Sequence, residues 1–252
     1  LVNGNLKQLE ALCDLIIDSG LQITWGGQAR LDARMDRAYL DKLGRAGCEY
    51  LGYGLESASQ KIVGLMKKRF DVGQAQRLIR ETSAAGIRPF VNFIIGFPGE
   101  GIHDFLKTVL FLVRNRAEIY QIGSVELSNI IPNTPLARDM DRLGIKRDDY
   151  GQWYTTDGRN NIVKRLRRLK LFYWLLPRLK VRYPSKTVPE SDYYRMHGDH
   201  YSFHKHNARA IRHYRKALRL NPRDRLTRDR LAKCLGTAGG VDEAAARTEG
   251  AG

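Results

Sequence analysis

Two stretches constrain the fold most: Gly47-Cys-Glu-Tyr-Leu-Gly-Tyr-Gly-Leu-Glu-Ser-Ala-Ser59 and Arg88-Pro-Phe-Val-Asn-Phe-Ile-Ile-Gly-Phe-Pro-Gly-Glu100. Each is a short apolar run that ends in glycines and polar groups and leads into a helix-like segment. Parallel strands of an α/β barrel have this form when their C-terminal ends carry a site, because both strand faces are buried and the ligand-facing chemistry follows the last apolar residue.

The pattern recurs along the first 127 residues. Leu6, Leu9, Leu12 and Ile16 fall at helical spacing before Gly20, and Leu21–Trp25 reads as a strand broken by Gly26-Gly27. A helix over 36–45, a strand over 49–54, helices capped from Ser57 or Ser59 through Met66 and over 72–85, a strand over 90–95, a helix over 103–114 and a strand over 119–127 follow. This alternation predicts an α/β fold of parallel strands with right-handed crossovers. The opening Leu1-Val-Asn-Gly4 reads as the tail of a strand with no strand before it, so the chain is expected to be a fragment of a longer enzyme.

From Pro132 the alternation stops. Residues 132–160 read as loop-rich with a short helix near 136–142, and 161–181 as a basic helical segment. Tyr183–Pro189 reads as a linker. Tyr194, Gly198, Tyr201, Ala210, Tyr214, Ala217 and Pro222 match the small, aromatic and proline positions of a tetratricopeptide repeat (TPR), with His197 where that pattern has Leu. The domains expected are 1–140, 141–189, a helix pair over 190–236 and a disordered tail over 237–252.

Charge and cysteine content narrow the chemistry. The net charge of +16 is concentrated: from Arg159 to Arg219 there are 17 Lys and Arg against three acids. Such a tract can follow nucleic-acid phosphates, but a solvated helix face is favoured over it. Cys13, Cys48 and Cys234 are isolated, which predicts no metal site in this chain, and Cys13 and Cys48 read as buried small side chains. No apolar run is long enough to span a bilayer, and a cytoplasmic location is the default expectation.

Five motifs in order give a family resemblance. Gly26-Gly-Gln-Ala-Arg30-Leu-Asp32, Ala46-Gly-Cys48 leading into Gly54-Leu-Glu56-Ser-Ala-Ser59, Lys67-Lys-Arg69, Asn92-Phe-Ile-Ile-Gly96-Phe-Pro-Gly-Glu100 and Pro132-Asn-Thr-Pro-Leu136 resemble the second half of a radical S-adenosylmethionine (SAM) core. The resemblance is to the class often fused to a cobalamin-binding domain. It implies the second half of a partial (β/α)6 barrel, a SAM site, and a [4Fe–4S] cluster on a Cys-x3-Cys-x2-Cys loop expected upstream of this chain. Cobalamin and methyl transfer are a further implication. The parent is expected to be an enzyme and this chain alone inactive, with the substrate, small or macromolecular, unread.

Site residues follow from that resemblance. Glu56 at a strand end can accept from SAM hydroxyl or ammonium groups, the alternative being a contribution to the following helix start, and Ser57 beside it is expected among the cofactor-binding residues. Arg30 can pair with the SAM carboxylate or with Asp32 or Asp36. Lys68 or Arg69 resembles the basic position that reaches the methionine carboxylate in relatives, with an exposed charge as the equal alternative, and Asn92 can reach the ribose. Gly96, Phe97, Pro98 and Gly99 let backbone approach the adenine. Two other function classes remain open: a TPR-type adaptor binding a protein partner, and an RNA-directed protein using residues 159–219.

Overall fold

The computed structural model describes residues 1–185 and 188–248, with backbone alone from 237 onward. Lys186 and Thr187, within the stretch expected as a linker, lie outside the described residues. The chain packs as two compact units, Leu1–Ser128 with Arg168–Ser185, and Asn129–Arg167 with Lys186–Gly252. The segment expected as one extension, 141–189, is shared between them.

In the first unit the order is α1 (Leu6–Asp18), β1 (Trp25–Ala29), α2 (Arg37–Arg45), β2 (Cys48–Glu56), α3 (Gln60–Leu65), α4 (Val72–Ala84), β3 (Arg88–Ile95), α5 (Ile102–Arg114) and β4 (Gln121–Leu127). The strands form one parallel sheet in the order β1-β2-β3-β4. Side chains of the expected kind start the helices. Asn5 and Asp36 accept from the backbone N–H three residues on, and Asp71 forms a reciprocal capping box with Gln74.

Alternation along the strands sets the layers. Leu51, Tyr53, Leu55, Val91, Phe93, Ile95, Ile122 and Val125 are fully buried on one face, where α2 and α4 pack against β2 and β3. Each large apolar side chain buried there contributes about 1.5–3 kcal/mol. Phe90, Asn92 and Ile94, which alternate with these, are only half-buried. The expectation that both strand faces are buried therefore holds for one face alone. The other is left to polar side chains, glycines and a few aromatic rings.

The first strand departs from the sequence expectation. It runs Trp25–Ala29 through Gly26-Gly27, while Leu21 and Ile23 are exposed. A Cβ on Gly26 would lie 2.4 Å from the Tyr50 ring, so this glycine permits close strand approach and does not end the strand. Leu1–Gly4 is a turn, with the Val2 N–H donating to Gln28 O at 2.9 Å.

Helix α7 (Ile162–Leu175) falls within the basic tract, yet its Arg165 and Arg168 are buried. Arg168 begins the stretch that returns to the first unit. Its guanidinium donates at 3.0 Å to Glu100 Oε1 and at 3.2 Å to the Glu100 carbonyl. Phe172 packs on Phe93 with ring centroids 5.2 Å apart. The chain then lays Arg182 beside Gln121 in parallel, with the Ile122 N–H donating to Arg182 O at 2.8 Å.

The second unit contains α6 (Pro135–Arg138) and an antiparallel hairpin, β5 (Ile145–Arg147) and β6 (Trp153–Thr155), within the stretch expected to be loop-rich. Ile130, Ile145 and Trp153 form its small core, and the Arg165 guanidinium lies 3.8 Å over the Trp153 ring. Helices α8 (Glu190–Phe203), α9 (Asn207–Leu220) and α10 (Arg225–Thr248) follow. Gly198 of α8 meets Tyr214 of α9 so closely that a Cβ would sit 2.4 Å from the ring. His197, the departure from the repeat pattern, is buried and stacks on His213 at 5.2 Å. The tail expected to be disordered from 237 is helical in backbone to Thr248, in keeping with its alanine-rich composition; residues 249–252 lie outside the described residues. No helix among the described residues is long and apolar enough to cross a membrane.

Two substitutions test this packing. Gly198→Ala should lower stability by about 1–3 kcal/mol through overpacking, although alanine favours helix by about 1 kcal/mol; a higher melting temperature would contradict the close contact. Arg168→Met leaves the Glu100 carboxylate buried without its partner and should cost about 3–5 kcal/mol. Adding Glu100→Gln should recover most of that loss in denaturant melts, whereas additive losses would show that the two side chains act separately.

Candidate functional site

Where the open sheet face meets the strand ends lies a cavity of about 600 Å³. Its walls are β1 and the residues after it, the end of β2, Asn92 of β3, and the 67–70 segment after α3. Arg30, Glu56, Arg69 and Asn92 come together here. Ser57, Gly96, Phe97, Pro98 and Gly99 do not line it.

Glycine spacing makes room for the polar layer. A Cβ on Gly52 would lie 2.6 Å from Gln28 Nε2, and one on Gly123 would lie 2.3 Å from Asn92 Oδ1. Both amides therefore lie flat over neighbouring strands, where Asn92 Nδ2 donates to Gln28 Oε1 at 3.3 Å. Sequence reasoning misses Gln28, although it alternates along its strand with buried Ala29. Placing the strand over 21–25 hides that signal.

Glu56 is the pivot of the cavity. It adopts φ 64°, the left-handed region that glycine or asparagine favours, and the β2–β3 register shifts between Gly54 and Glu56. Such strain costs about 1–2 kcal/mol and persists where surrounding contacts fix it. Lys68 Nζ donates to Glu56 Oε1 at 3.1 Å and to Gly54 O at 2.6 Å. The carboxylate lines the cavity, while Ser59, the residue before α3, makes no side-chain capping bond.

The basic groups complete the lining. Arg30, Lys67, Lys68 and Arg69 face one carboxylate, Glu56. Arg30 does not pair with Asp32, which takes Arg34 at 2.7 Å, and among the described residues Arg30 makes no ion pair. Arg69 and Lys68 both reach the cavity, so the two candidates for one basic position are both present. An excess of cations around one carboxylate, with the Gln28 and Asn92 amides beside it, suits a ligand that has a carboxylate and also hydroxyl or ammonium donors.

The left-handed Glu56 turns Ser57 inward. It is fully buried, with Oγ 3.4 Å from Thr108 Oγ1, and it accepts from Ser59 N–H at 3.2 Å. Ser59 Oγ and Lys61 Nζ both donate to Asp104. Burial pushes the Asp104 carboxyl up, but Lys61, Ser59 and the Gly101 N–H outweigh it and hold it at about 2. Ser57 is thus part of the joint between the β2 end and α5.

The Gly96–Gly99 turn has φ of 81° and 90° at its two glycines. Gly96 N–H donates to Glu100 Oε1 at 3.0 Å, and Glu100 N–H donates to Phe97 O at 2.8 Å. Burial pushes the Glu100 carboxyl up to about 7, against the pull of Arg168 and the Gly96 N–H. Strand-end turn, carboxylate and α7 therefore form one buried assembly.

Cys13, Cys48 and Cys234 are buried and form no disulfide among the described residues, and burial pushes the Cys48 thiol up to about 12. Among the described residues no group of three His, Cys, Asp or Glu side chains is arranged to hold a metal ion. The residues present do not fit an iron–sulfur cluster.

Residues 11–112 match the Radical SAM superfamily. The chain is similar to the ribosomal protein uS12 methylthiotransferase RimO of Pelotomaculum thermopropionicum, with 35% identity over 96 residues, covering 36% of this chain and 22% of that protein. It is also similar to the tRNA-2-methylthio-N(6)-dimethylallyladenosine synthase of Buchnera aphidicola subsp. Acyrthosiphon pisum, with 29% identity over 127 residues, covering 49% and 28%. The chain thus spans under a third of these relatives' lengths. Among solved structures, the cobalamin-dependent SAM radical enzyme OxsB aligns at TM-score 0.51 and 15% identity, over 94% of this chain and 41% of its own. Coproporphyrinogen III oxidase (HemN) from Escherichia coli, also a radical SAM enzyme, aligns at 0.50 and 15%, over 77% and 43%. The fold is that of radical SAM enzymes, and residues 11–112 carry the sequence pattern of this superfamily, whose members use SAM and a [4Fe–4S] cluster.

Proposed function

We propose that the first unit is the SAM-cradling second half of a radical SAM barrel, working within a longer enzyme whose cluster cysteines lie on other residues. The observation that carries this reading is the cavity at the strand ends, where Glu56, Arg30, Lys68, Arg69 and Asn92 meet within a region that matches the superfamily. A volume of about 600 Å³ is in the range of small-molecule cofactor sites.

When bound, SAM supplies a 5′-deoxyadenosyl group for radical chemistry on its reductive cleavage. The residues of this chain bind and orient it. Arg30 with Lys68 or Arg69 holds the carboxylate, Glu56 accepts from the ammonium or a ribose hydroxyl, and Asn92 reaches the ribose. The Gly96–Gly99 turn lies outside the cavity lining and is held in shape by Glu100 and Arg168, so its part is to fix the strand end beside the site. Fixing these groups also keeps water from the reacting carbon. The activities of the two curated relatives favour methylthio transfer as the reaction class, and the cobalamin-dependent structural neighbour keeps cobalamin, with methyl transfer, as the second reading.

In the second unit, we read α8 and α9 as a single tetratricopeptide-like pair. Gly198 set against Tyr214, buried Ala210 and Ala217, and Pro222 just past α9 support it. One pair is too short to make the concave groove of a repeat array, so a protein-binding adaptor is the weaker reading.

Glu56 gives the test. In the complete gene product, reconstituted anaerobically, Glu56→Gln should weaken SAM binding about tenfold, in line with loss of a charged hydrogen bond of roughly 1.5–3 kcal/mol. Glu56→Gly should weaken it at least as much. Its melting temperature should stay close to wild type, because release of the left-handed strain offsets the lost Lys68 pairing. Unchanged SAM affinity in both variants, measured by equilibrium dialysis, would remove Glu56 from the site.

A further inference from the structure

Helix α9 carries Arg209, Arg212, Arg215, Lys216 and Arg219 and no acidic residue. Its inner face, Ala210, Tyr214 and Ala217, is fully buried, and all five cations are exposed. The nearby carboxylates are already engaged. Asp199 takes Tyr214, Arg195 and Arg230, Asp192 takes Arg195, and Asp224 takes Thr227 with Arg195 close by. Among the described residues none of the five makes an ion pair. Arg209 and Lys216 lie over the rings of Tyr201 and Tyr194, at 5.8 and 4.2 Å.

Like charges three and four residues apart destabilise a helix. Arg209 and Lys216 are offset by their aromatic contacts and Arg219 by its place in the last turn. Among the described residues Arg212 and Arg215 have no such compensation. Arg212, Arg215 and Arg219 border a shallow groove of about 630 Å³ floored by Ala208, Ile211 and Leu218. At a rise of about 1.5 Å per residue, these three arginines span roughly 10 Å along one side of the helix. Beyond the Pro222 turn, Arg223, Arg225 and Arg228 are exposed as well.

We infer that this face of α9 is a docking surface for single-stranded RNA, held through its phosphates. Four of the five cations are arginines, whose planar forks pair with phosphate through two donors. A line of cations without interspersed acids matches a ligand whose charge repeats along a backbone. An acidic protein partner or a membrane surface would call for exposed apolar anchors. Ile211 and Leu218 are half-buried in the groove floor, and Leu220, at the C-terminal end of α9 and outside the groove, is its one exposed large apolar side chain.

The test uses the complete gene product and a fluorescein-labelled RNA of about 20 nucleotides, with binding followed by anisotropy over a salt series. Arg212→Ala/Arg215→Ala/Arg219→Ala should reduce affinity at least about tenfold at roughly 0.1 M salt. It should also lower the slope of log K against log salt by about 2, given roughly 0.7 for each phosphate no longer neutralised. Alanine at exposed helical positions keeps the helix, which circular dichroism verifies. Lys7→Ala/Lys107→Ala/Arg114→Ala, an equal loss of exposed charge in the first unit, should change neither quantity by more than about a third. DNA of the same sequence should bind within about threefold of RNA. Equal losses in both triple variants, an unchanged slope, DNA binding tighter than RNA by about tenfold, or polyglutamate or phosphatidylserine vesicles binding as well as RNA would each overturn the inference.

Discussion

The buried pair between Arg168 and Glu100 joins parts of the chain that are far apart in sequence. Glu100 ends the Gly96–Gly99 turn and accepts from its first amide, while Arg168 opens the stretch of α7 that returns to the first unit. Two opposite charges taken out of water are stabilising as a pair only when their geometry is good and remaining polar atoms are satisfied. Both conditions are met by the second guanidinium bond to the Glu100 carbonyl and by the Gly96 N–H. The strand-end turn is consequently held by a residue 68 positions away, and Phe172, one turn further along α7, covers Phe93 on the same side of the sheet.

The sheet divides its labour by face. Alternating residues of β2, β3 and β4 make the buried core, and the opposite residues form a polar layer. There Gly52 and Gly123 are small because Gln28 and Asn92 lie over them. The bulge at Gly54–Glu56 ends β2 with a strained glutamate that keeps its carboxylate beside Lys68 while sending Ser57 into the joint with α5. One backbone irregularity thereby separates a cavity residue from a packing residue that is adjacent in sequence.

Much of this is legible from local chemistry. Asp36 and Asp71 announce their helices, and the glycines that close the apolar runs of β2 and β3 mark where strands give way to site residues. What escapes is set by tertiary contact. Gly26-Gly27 looks like a strand break until Tyr50 is placed against it, and with the strand shifted, Gln28 cannot be recognised as a lining residue. Nothing in a glutamate signals a positive φ, so the opposite fates of Glu56 and Ser57 stay hidden. Arg165 and Arg168 sit in a run of basic residues that reads as a solvated face. Their burial depends on Trp153 and Glu100, which no helical periodicity reveals. The hairpin of β5 and β6 has strands of three residues, too short for alternation to register.

The central claim, that the first unit cradles SAM at its strand ends, is tested most directly by photo-labelling the complete gene product with 8-azido-SAM and mapping the attachment sites by mass spectrometry. Label should fall on the peptides carrying Gln28–Leu31 and Glu56–Phe70, which hold cavity-lining residues, and excess unlabelled SAM should remove it. Label confined to peptides outside residues 25–128, or label that SAM does not displace, would contradict the claim.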